Sequence, residues 1–279
     1  MNAYDRLLLP ENLYYAWLKA KSLYRSADGY IDWGEFAEFE LDLEQRLLEI
    51  RRQYERGRYR LKKLRPLPRP KKLHDDSPVD RQYYHVAVED QVAWIALANA
   101  LGPELDKKMP PWSYGNRLYR PAWYELGEQQ ESILEIGPYR HASGHLYRKF
   151  QHSWPLFRRH VTLTARAMAA RRPLRRDEMD ESDRLAAASA EREKLPYFNA
   201  GFWPPRTGAE TGSELYHASI DLKQFYPQLK TEAVINGLAA ATEDARMQNL
   251  LTDMLRFQLD ISGMTEATLA KGMSRPMLK

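Results

Sequence analysis

The chain of 279 residues is 43% hydrophobic and 29% charged, a globular balance that suits one large domain or two smaller ones. It contains no cysteine, which excludes disulfides, thiolate catalysis and cysteine-based zinc sites. The N-terminus lacks the apolar core of a signal peptide, and no apolar run approaches ~18 residues. We therefore expect a cytoplasmic protein with no membrane partner.

Charge is distributed unevenly along the chain, although the formal net charge is only +4. Residues 51–72 hold eleven Lys or Arg against one Glu, and residues 139–176 hold ten Lys or Arg, four His and no acid. Residues 177–194 reverse the sign, with seven acids against three bases. Basic blocks interleaved with aromatic residues are typical of a protein that binds a polyanion such as nucleic acid. The alternative interpretation is two solvated helix faces.

The first 57 residues predict a helical hairpin. Residues 1–25 have apolar positions at helical spacing, and Pro10 suits the first turn of such a helix. Residues 36–54 repeat the spacing in a second, longer helix that Gly57 ends. We expect this hairpin to dock on another part of the protein.

The connection within the hairpin partly matches an EF-hand calcium loop. Residues 28–36 fit the second half of such a loop, including a glutamate, Glu35, at its closing position. The first half fails, because Tyr24 and Ser26 would occupy the first and third ligand positions. We interpret the segment as a turn followed by a helix start.

A strand pair and a buried helix are predicted next. Residues 58–72 are basic and punctuated by prolines, which favours an extended strand over a helix. The β-rich segment 81–88 is expected to be its antiparallel partner. From Glu89 the sequence is apolar on almost every side, which predicts a buried helix that Gly102 and Pro103 stop.

The second basic block contains four histidines, so a metal site has to be weighed against nucleic-acid contact. His141 and His145 are four residues apart, but Gly144 weakens a helix there, and the block offers no carboxylate or cysteine. Contact with RNA or DNA through basic and aromatic side chains explains the composition better. The following segment, residues 171–194, is interpreted as an exposed helix or a mobile linker.

A short apolar strand over residues 215–220 is expected to deliver a carboxylate, Asp221, at its end. A strand-end carboxylate beside backbone carbonyls suits a hard divalent cation, and the aromatic pair Phe225 and Tyr226 suits a flat or sugar-like ligand. The alternative is a solvated Asp that begins a turn. Two helices are predicted after this stretch, over residues 231–238 and 243–259.

Four segments, taken in chain order, resemble the N-terminal half of a reverse transcriptase. They are the basic strand Arg65–Lys72 with Asp80-Arg81, the segment Val88-Glu-Asp-Gln-Val-Ala-Trp-Ile-Ala-Leu97, the motif Ser113-Tyr-Gly-Asn-Arg117, and Ile220-Asp-Leu-Lys-Gln-Phe-Tyr-Pro-Gln-Leu229. The third is similar to the Ser-Tyr-Gly-x-Arg of these enzymes, and the last to their first palm motif, Asp-Ile-Lys-x-Phe-Tyr-Pro-x-Ile. The resemblance covers residues 58–118 and 206–258. The aromatic N-terminus and basic insertion most resemble bacterial defence-associated, abortive-infection-type enzymes.

The resemblance implies nucleotidyl transfer with two magnesium ions in an RNA-directed DNA polymerase of bacterial antiviral defence. Asp221 and the carbonyl of Leu222 would ligate magnesium. Tyr226, next to Phe225, would exclude the 2′-hydroxyl of the incoming nucleotide and so favour deoxynucleotides. The partners implied are an RNA template, a DNA product and deoxynucleoside triphosphates.

The resemblance also implies roles for basic residues. Arg81, with Lys71 or Lys72, would neutralise the incoming triphosphate from the fingers. Arg117 would hold the template backbone or the joint between fingers and palm. Contact of the basic insertion with nucleic acid is assigned to Arg148, Lys149, Arg158 and Arg159.

The expected fold class is α+β and helix-rich, a right-hand polymerase fingers and partial palm with an N-terminal helical hairpin and a long basic helical insertion. The expected parts are an N-terminal helical region, fingers, the basic insertion and the start of the palm, over residues 1–57, 58–135, 136–205 and 206–279. A second palm motif and a Tyr-x-Asp-Asp turn are missing from the sequence. Because one carboxylate holds two magnesium ions poorly, we expect this chain alone to be inactive, and to be completed by another polymerase segment or by a homo-oligomer. The alternative is a catalytically inactive module, derived from a reverse transcriptase, that binds nucleic acid or a protein partner.

Overall fold

The computed structural model describes residues 1–26, 32–70, 80–110, 112–126, 132–192, 218–220, 229–260 and 262. The chain divides into two compact units. Unit 1 comprises Met1–Gly102, His141–Gly144 and Leu222–Lys279, and unit 2 comprises Pro103–Arg140 and His145–Asp221. The four-part division expected from the sequence follows other boundaries and stays a prediction.

Unit 1 begins with two helices where the sequence predicted one. Helix α1 spans Ala3–Leu7 and α2 spans Pro10–Ser26. The prediction of a single helix was wrong because a proline lacks the N–H that a helix interior requires, so Pro10 starts a helix instead of continuing one. The apolar positions of α2 are buried as its spacing predicted: Leu13, Trp17, Ala20 and Tyr24.

The second predicted helix is also divided. Helix α3 spans Trp33–Leu41 and α4 spans Leu43–Glu55, with a break at Asp42. Gly57 follows α4 with a left-handed φ of 66°, which agrees with the predicted helix end. Trp17 of α2 packs on both aromatic rings of α3, with its centroid 5.0 Å from that of Phe36 and 5.1 Å from that of Phe39.

The strand pair and the apolar helix follow the predicted order. Strand β1 (Arg65–Pro70) pairs antiparallel with β2 (Asp80–His85), and α5 spans Val88–Lys108. The expected stop at Gly102-Pro103 is wrong, since α5 continues through Pro103 for one and a half further turns. The lost hydrogen bond is offset by contacts that the extension makes at Asp106, described below.

Residue Asp90 ties the first turn of α5 to the segment before β1. Its two carboxylate oxygens accept hydrogen bonds from the Tyr59 hydroxyl at 3.0 Å and from the Lys62 backbone N–H at 2.9 Å. The carboxyl group is 1% exposed, and burial raises its pKa to about 6.

Two short helices complete unit 1. Helix α8 spans Thr231–Ala239, and α9 spans Ala245–Met254 with Asp244 as its N-cap. Both lie where helices were predicted. The apolar face of α9 is buried: Met247, Leu250, Leu251 and Met254. Leu64 and Leu259 form an isolated parallel bridge, which places the segment after α9 beside the start of β1.

Unit 2 contains a second strand pair and two helices. Strand β3 (Ala122–Leu126) pairs antiparallel with β4 (Ser132–Ile136), and α6 spans Phe150–Ala170. Helix α7 spans Glu181–Arg192 and packs on α6. Thus residues 181–192 are a helix, one of the two predicted alternatives, but its inner face is buried rather than exposed, including Asp183, Ala186 and Ala190.

The described residues confirm the helix-rich α+β class at this coarse level, because they combine α-helices, most of them of nine residues or more, with two antiparallel strand pairs. Among the same residues, no helix is both long and apolar enough to cross a membrane.

Candidate nucleic-acid interface

The predicted catalytic stretch lies almost entirely outside the described residues. This applies to Asp221, Leu222, Phe225 and Tyr226. The described part of the preceding strand, residues 218–220, is in neither a strand nor a helix, and Ile220 is 86% exposed. The strand prediction is wrong for these three residues, because a strand needs a partner for its backbone N–H and C=O groups and no such pairing occurs among the described residues.

One of the predicted triphosphate contacts, Arg81, lies in the first strand pair. The register of β1 and β2 places Arg81 opposite Arg69. Lys71 and Lys72 follow β1 directly and lie outside the described residues. The pairing thus brings basic positions of both strands to one end of the ribbon.

Arg117 forms a buried ion pair within unit 2. Its guanidinium donates to both carboxylate oxygens of Asp106, at 2.9 and 3.1 Å, and to the Asp106 carbonyl at 3.3 Å. The Leu118 N–H donates to the same carboxylate at 3.0 Å, and the two charged side chains are 8% and 10% exposed. This geometry differs from the predicted contact with template: the pair fastens the end of α5 to the loop that precedes β3.

Arg159 is also engaged in an ion pair. Its guanidinium lies 2.7 Å from Asp183 of α7, which a second arginine, Arg166, contacts from α6 at the same distance. Burial alone would raise the pKa of Asp183, but hydrogen bonds from the two arginines hold that pKa below its ordinary value. The neighbouring Asp180 carboxylate is 3.4 Å from Arg159. Arg159 therefore contributes to the packing of α6 on α7.

The remaining predicted residues of the basic insertion differ in exposure. Lys149 and Arg158 are exposed, whereas Arg148 is half-buried and its backbone N–H donates to the Arg117 carbonyl at 2.8 Å. Lys149 is the N-cap of α6, and the first turn of α6 contains no acidic residue. Of the four predicted nucleic-acid contacts in the insertion, Lys149 and Arg158 are therefore the two that are exposed to solvent.

Two aromatic side chains that the sequence analysis did not assign lie between these cations. Phe150 is 68% exposed and Trp154 is 47% exposed, and their rings stack with centroids 5.8 Å apart and planes 18° apart. Because positions four residues apart share a helix face, Phe150, Trp154 and Arg158 form one row, and Lys149 immediately precedes it. We call these four residues the α6 strip. The four-residue spacing is the sequence signal that predicts this row.

The aromatic row continues from the surface into unit 2. Phe157 lies 5.4 Å from Trp154 and 5.3 Å from Tyr114, measured between ring centroids. Tyr114 is hydrogen-bonded to Nδ1 of His160, and Nε2 of this buried histidine contacts the Ala186 carbonyl at 2.7 Å. Because a carbonyl accepts, Nε2 carries the hydrogen and Nδ1 accepts from the tyrosine hydroxyl. The inner end of the row is thus fixed by packing and hydrogen bonds.

The histidines of the basic block do not form the metal site that was weighed. The segment from His141 to His145 is not helical, so the i, i+4 face that would have aligned these two residues is missing. His160 uses both ring nitrogens in the hydrogen bonds just described.

Among the described residues of unit 1, one cluster has the composition of a metal site. The ligand atoms of Asp32, Glu35 and His85 lie within 4.8 Å of one another. The guanidinium of Arg65 lies 3.0 Å from Asp32 and 3.7 Å from Glu35, so a cation already balances the carboxylates. The Glu35 N–H and Arg65 together hold the pKa of Asp32 below its ordinary value.

The hydrogen bonds of this cluster also connect α3 to β2 and α5. Glu35 accepts from His85 Nε2 at 2.7 Å and from the Val88 N–H at 3.0 Å. A nitrogen that donates to a carboxylate has no lone pair for a metal. The residues of the incomplete EF-hand pattern therefore fasten α3 to the strand pair and to the first turn of α5, and do not fit a resident calcium or magnesium ion.

No family model, no curated protein and no solved structure matches this chain.

Proposed function

We propose that this chain is part of an RNA-directed DNA polymerase of the reverse transcriptase family, acting in bacterial antiviral defence. The observation that carries the proposal is the order of the four motifs, joined to the register of the first strand pair. That register brings Arg69 and Arg81 together at the end of a basic ribbon, directly before the buried helix α5. A ribbon of this kind suits the polyphosphate of an incoming nucleotide.

The roles in the proposed reaction follow from residue chemistry. Asp221 and the Leu222 carbonyl would hold magnesium, which supplies charge neutralisation at the attacking and leaving oxygens. Arg81, with Lys71 or Lys72, would neutralise the triphosphate. The ring of Tyr226, supported by Phe225, would occupy the space that a 2′-hydroxyl needs. Template and product would be held by basic residues of the chain.

Primer extension tests the proposal. Because the chain alone is expected to be inactive, it is combined with the polymerase segment that completes it and incubated with an RNA template, a DNA primer, deoxynucleotides and magnesium. Asp221→Ala is compared with Glu243→Gln, which changes an exposed carboxylate before α9. We expect Asp221→Ala to abolish incorporation and Glu243→Gln to retain it. Equal incorporation by the wild type and Asp221→Ala would overturn the role of Asp221.

A second candidate function is nucleic-acid binding without catalysis. The α6 strip favours it, because the chemistry of this surface does not depend on Asp221. Binding without any incorporation, even when the completing polymerase segment is present, would select this candidate over the polymerase.

A further inference from the structure

We propose that the α6 strip is a stacking platform for single-stranded nucleic acid, on which a base caps the Phe150 ring while Lys149 and Arg158 contact the flanking phosphates. The inference rests on the proposed nucleic-acid function, but the α6 strip contains none of the residues of the proposed chemistry at Asp221. It also identifies the ligand as a strand with unpaired bases rather than a duplex.

The ring geometry determines where a base would bind. Phe150 and Trp154 are 5.8 Å apart at 18°, so they already contact each other and leave no gap for an inserted base. Phe157 is the next ring of the row, 5.4 Å from Trp154 and at 31° to it. The outer face of Phe150 is consequently the end of the row that is open for extension, and Phe150 is the most exposed of these rings. A base adds to this end as the next member of the stack.

The charges beside the rings match a nucleic-acid strand. Lys149 precedes Phe150, and Arg158 lies one turn beyond Trp154 on the same face, so exposed cations bracket the two rings. The first turn of α6 contains no acidic residue, and the positive end of the helix dipole adds to the field there. Residues 139–176 contain no acid at all. A protein partner that bound through apolar contact alone would not need this bracketing.

The requirement for a single strand follows from the same geometry. A base can stack on Phe150 only if its own face is uncovered, and in a duplex both faces of each internal base are stacked on neighbours. Aromatic platforms flanked by basic groups bind single strands with little sequence preference, because every base has a π-face. We therefore expect binding to depend on strandedness far more than on sequence.

Fluorescence anisotropy with a labelled oligonucleotide tests the platform. Oligo(U) and oligo(dT) of the same length are titrated with the full-length protein without magnesium or nucleotides, so that catalysis is not measured. We expect Phe150→Ala/Trp154→Ala to weaken binding about 5- to 100-fold, as the loss of one stacked base implies. Phe150→Trp should bind at least as tightly as the wild type. Trp33→Ala, which removes a 59% exposed tryptophan from unit 1, should leave binding unchanged.

The contribution of the cations is measured from the salt dependence. For single strands the slope of log K against log salt is about −0.7 per phosphate neutralised, so Lys149→Gln/Arg158→Gln should reduce its magnitude by about 1.4. The control Lys107→Gln/Lys108→Gln removes two exposed lysines outside the strip and should change the slope less.

Several outcomes would overturn the platform. One is that Phe150→Ala/Trp154→Ala unfolds thermally like the wild type and binds the oligonucleotide with the affinity of the wild type. Another is equal affinity for a blunt duplex and a single strand. A third is that the wild type sediments as a dimer, whereas Phe150→Ala/Trp154→Ala sediments as a monomer and still binds the oligonucleotide as tightly. That result would assign the strip to self-association. Asp221→Ala should bind oligonucleotide like the wild type, so failure of the polymerase proposal and failure of the platform give different results. Preference between oligo(U) and oligo(dT) then identifies the strand.

Discussion

Replacing Arg117 by methionine should destabilise the protein strongly, because the Asp106 carboxylate would remain buried without its counter-ion. The carboxylate is 10% exposed, and in the variant its remaining described partner is the Leu118 N–H at 3.0 Å. Removing one member of a buried, bidentate pair costs about 3–5 kcal/mol. Arg117→Lys keeps the charge but cannot reproduce the two parallel hydrogen bonds, so an intermediate loss is expected.

A second substitution should then restore stability. Asp106→Asn removes the buried charge and keeps an oxygen that accepts from the Leu118 N–H. An unpaired buried amide costs about 1–3 kcal/mol, so Arg117→Met/Asp106→Asn should be about 2 kcal/mol more stable than Arg117→Met alone. The two residues are in direct contact, and their effects should therefore not be additive.

Urea unfolding followed by circular dichroism measures these differences. Lys107→Met is the matched control, because it removes a cation from an exposed pair with Glu104 near the same helix end and should cost less than about 1 kcal/mol. A loss below about 1 kcal/mol for Arg117→Met, or a further loss on adding Asp106→Asn, would refute the structural role. Weakened nucleic-acid binding with unchanged stability would instead favour the template contact predicted from the sequence.

Three further predictions concern buried or clustered charges. Because burial raises the pKa of Asp90 from 3.8 to about 6, the folded state retains a proton that the unfolded chain releases, and stability should fall by about 3 kcal/mol as pH rises from about 3 to about 7. Asp90→Asn should flatten that part of the stability curve, and an unchanged slope would contradict the assignment. Zinc should not raise the unfolding temperature of the wild type, since Arg65 balances the carboxylates of its cluster and His85 Nε2 donates to Glu35; a rise would show a metal site. Asp183→Asn should cost about 2 kcal/mol in urea by weakening the bonds to Arg159 and Arg166, and a neutral effect would contradict their packing role.

The spacing of apolar residues and the positions of glycines were sufficient to predict much of the helical structure. The apolar spacing of α2 predicted which residues are buried, and Gly57 marked the end of α4 because its conformation suits glycine. The sequence could not locate the break at Asp42 or the passage of α5 through Pro103. In the second case, a distant contact at Asp106 stabilises a continuation that local propensity disfavours.

Side-chain roles depended on partners that are distant in sequence. Nothing near Arg159 in the sequence indicates that Asp183 will bind it. The neighbouring Arg158 and Arg159 therefore looked equivalent, although Arg158 is exposed and Arg159 is half-buried. Glu35 similarly finds His85 fifty residues away. The α6 strip, in contrast, depends on residues that are close in sequence. Phe150, Trp154 and Arg158 are four residues apart, a spacing that places them on one helix face and could have been recognised from the sequence.

The most direct test of the account is the sugar selectivity of Tyr226. Incorporation of ribonucleotides and deoxynucleotides is measured with the wild type and with Tyr226→Ala, each combined with the completing polymerase segment, on the same primed RNA template. We predict that the wild type strongly prefers deoxynucleotides and that the variant gains ribonucleotide incorporation, a change that misfolding does not produce. An active enzyme whose preference is the same in both proteins would contradict the placement of the 215–229 stretch at a polymerase nucleotide site.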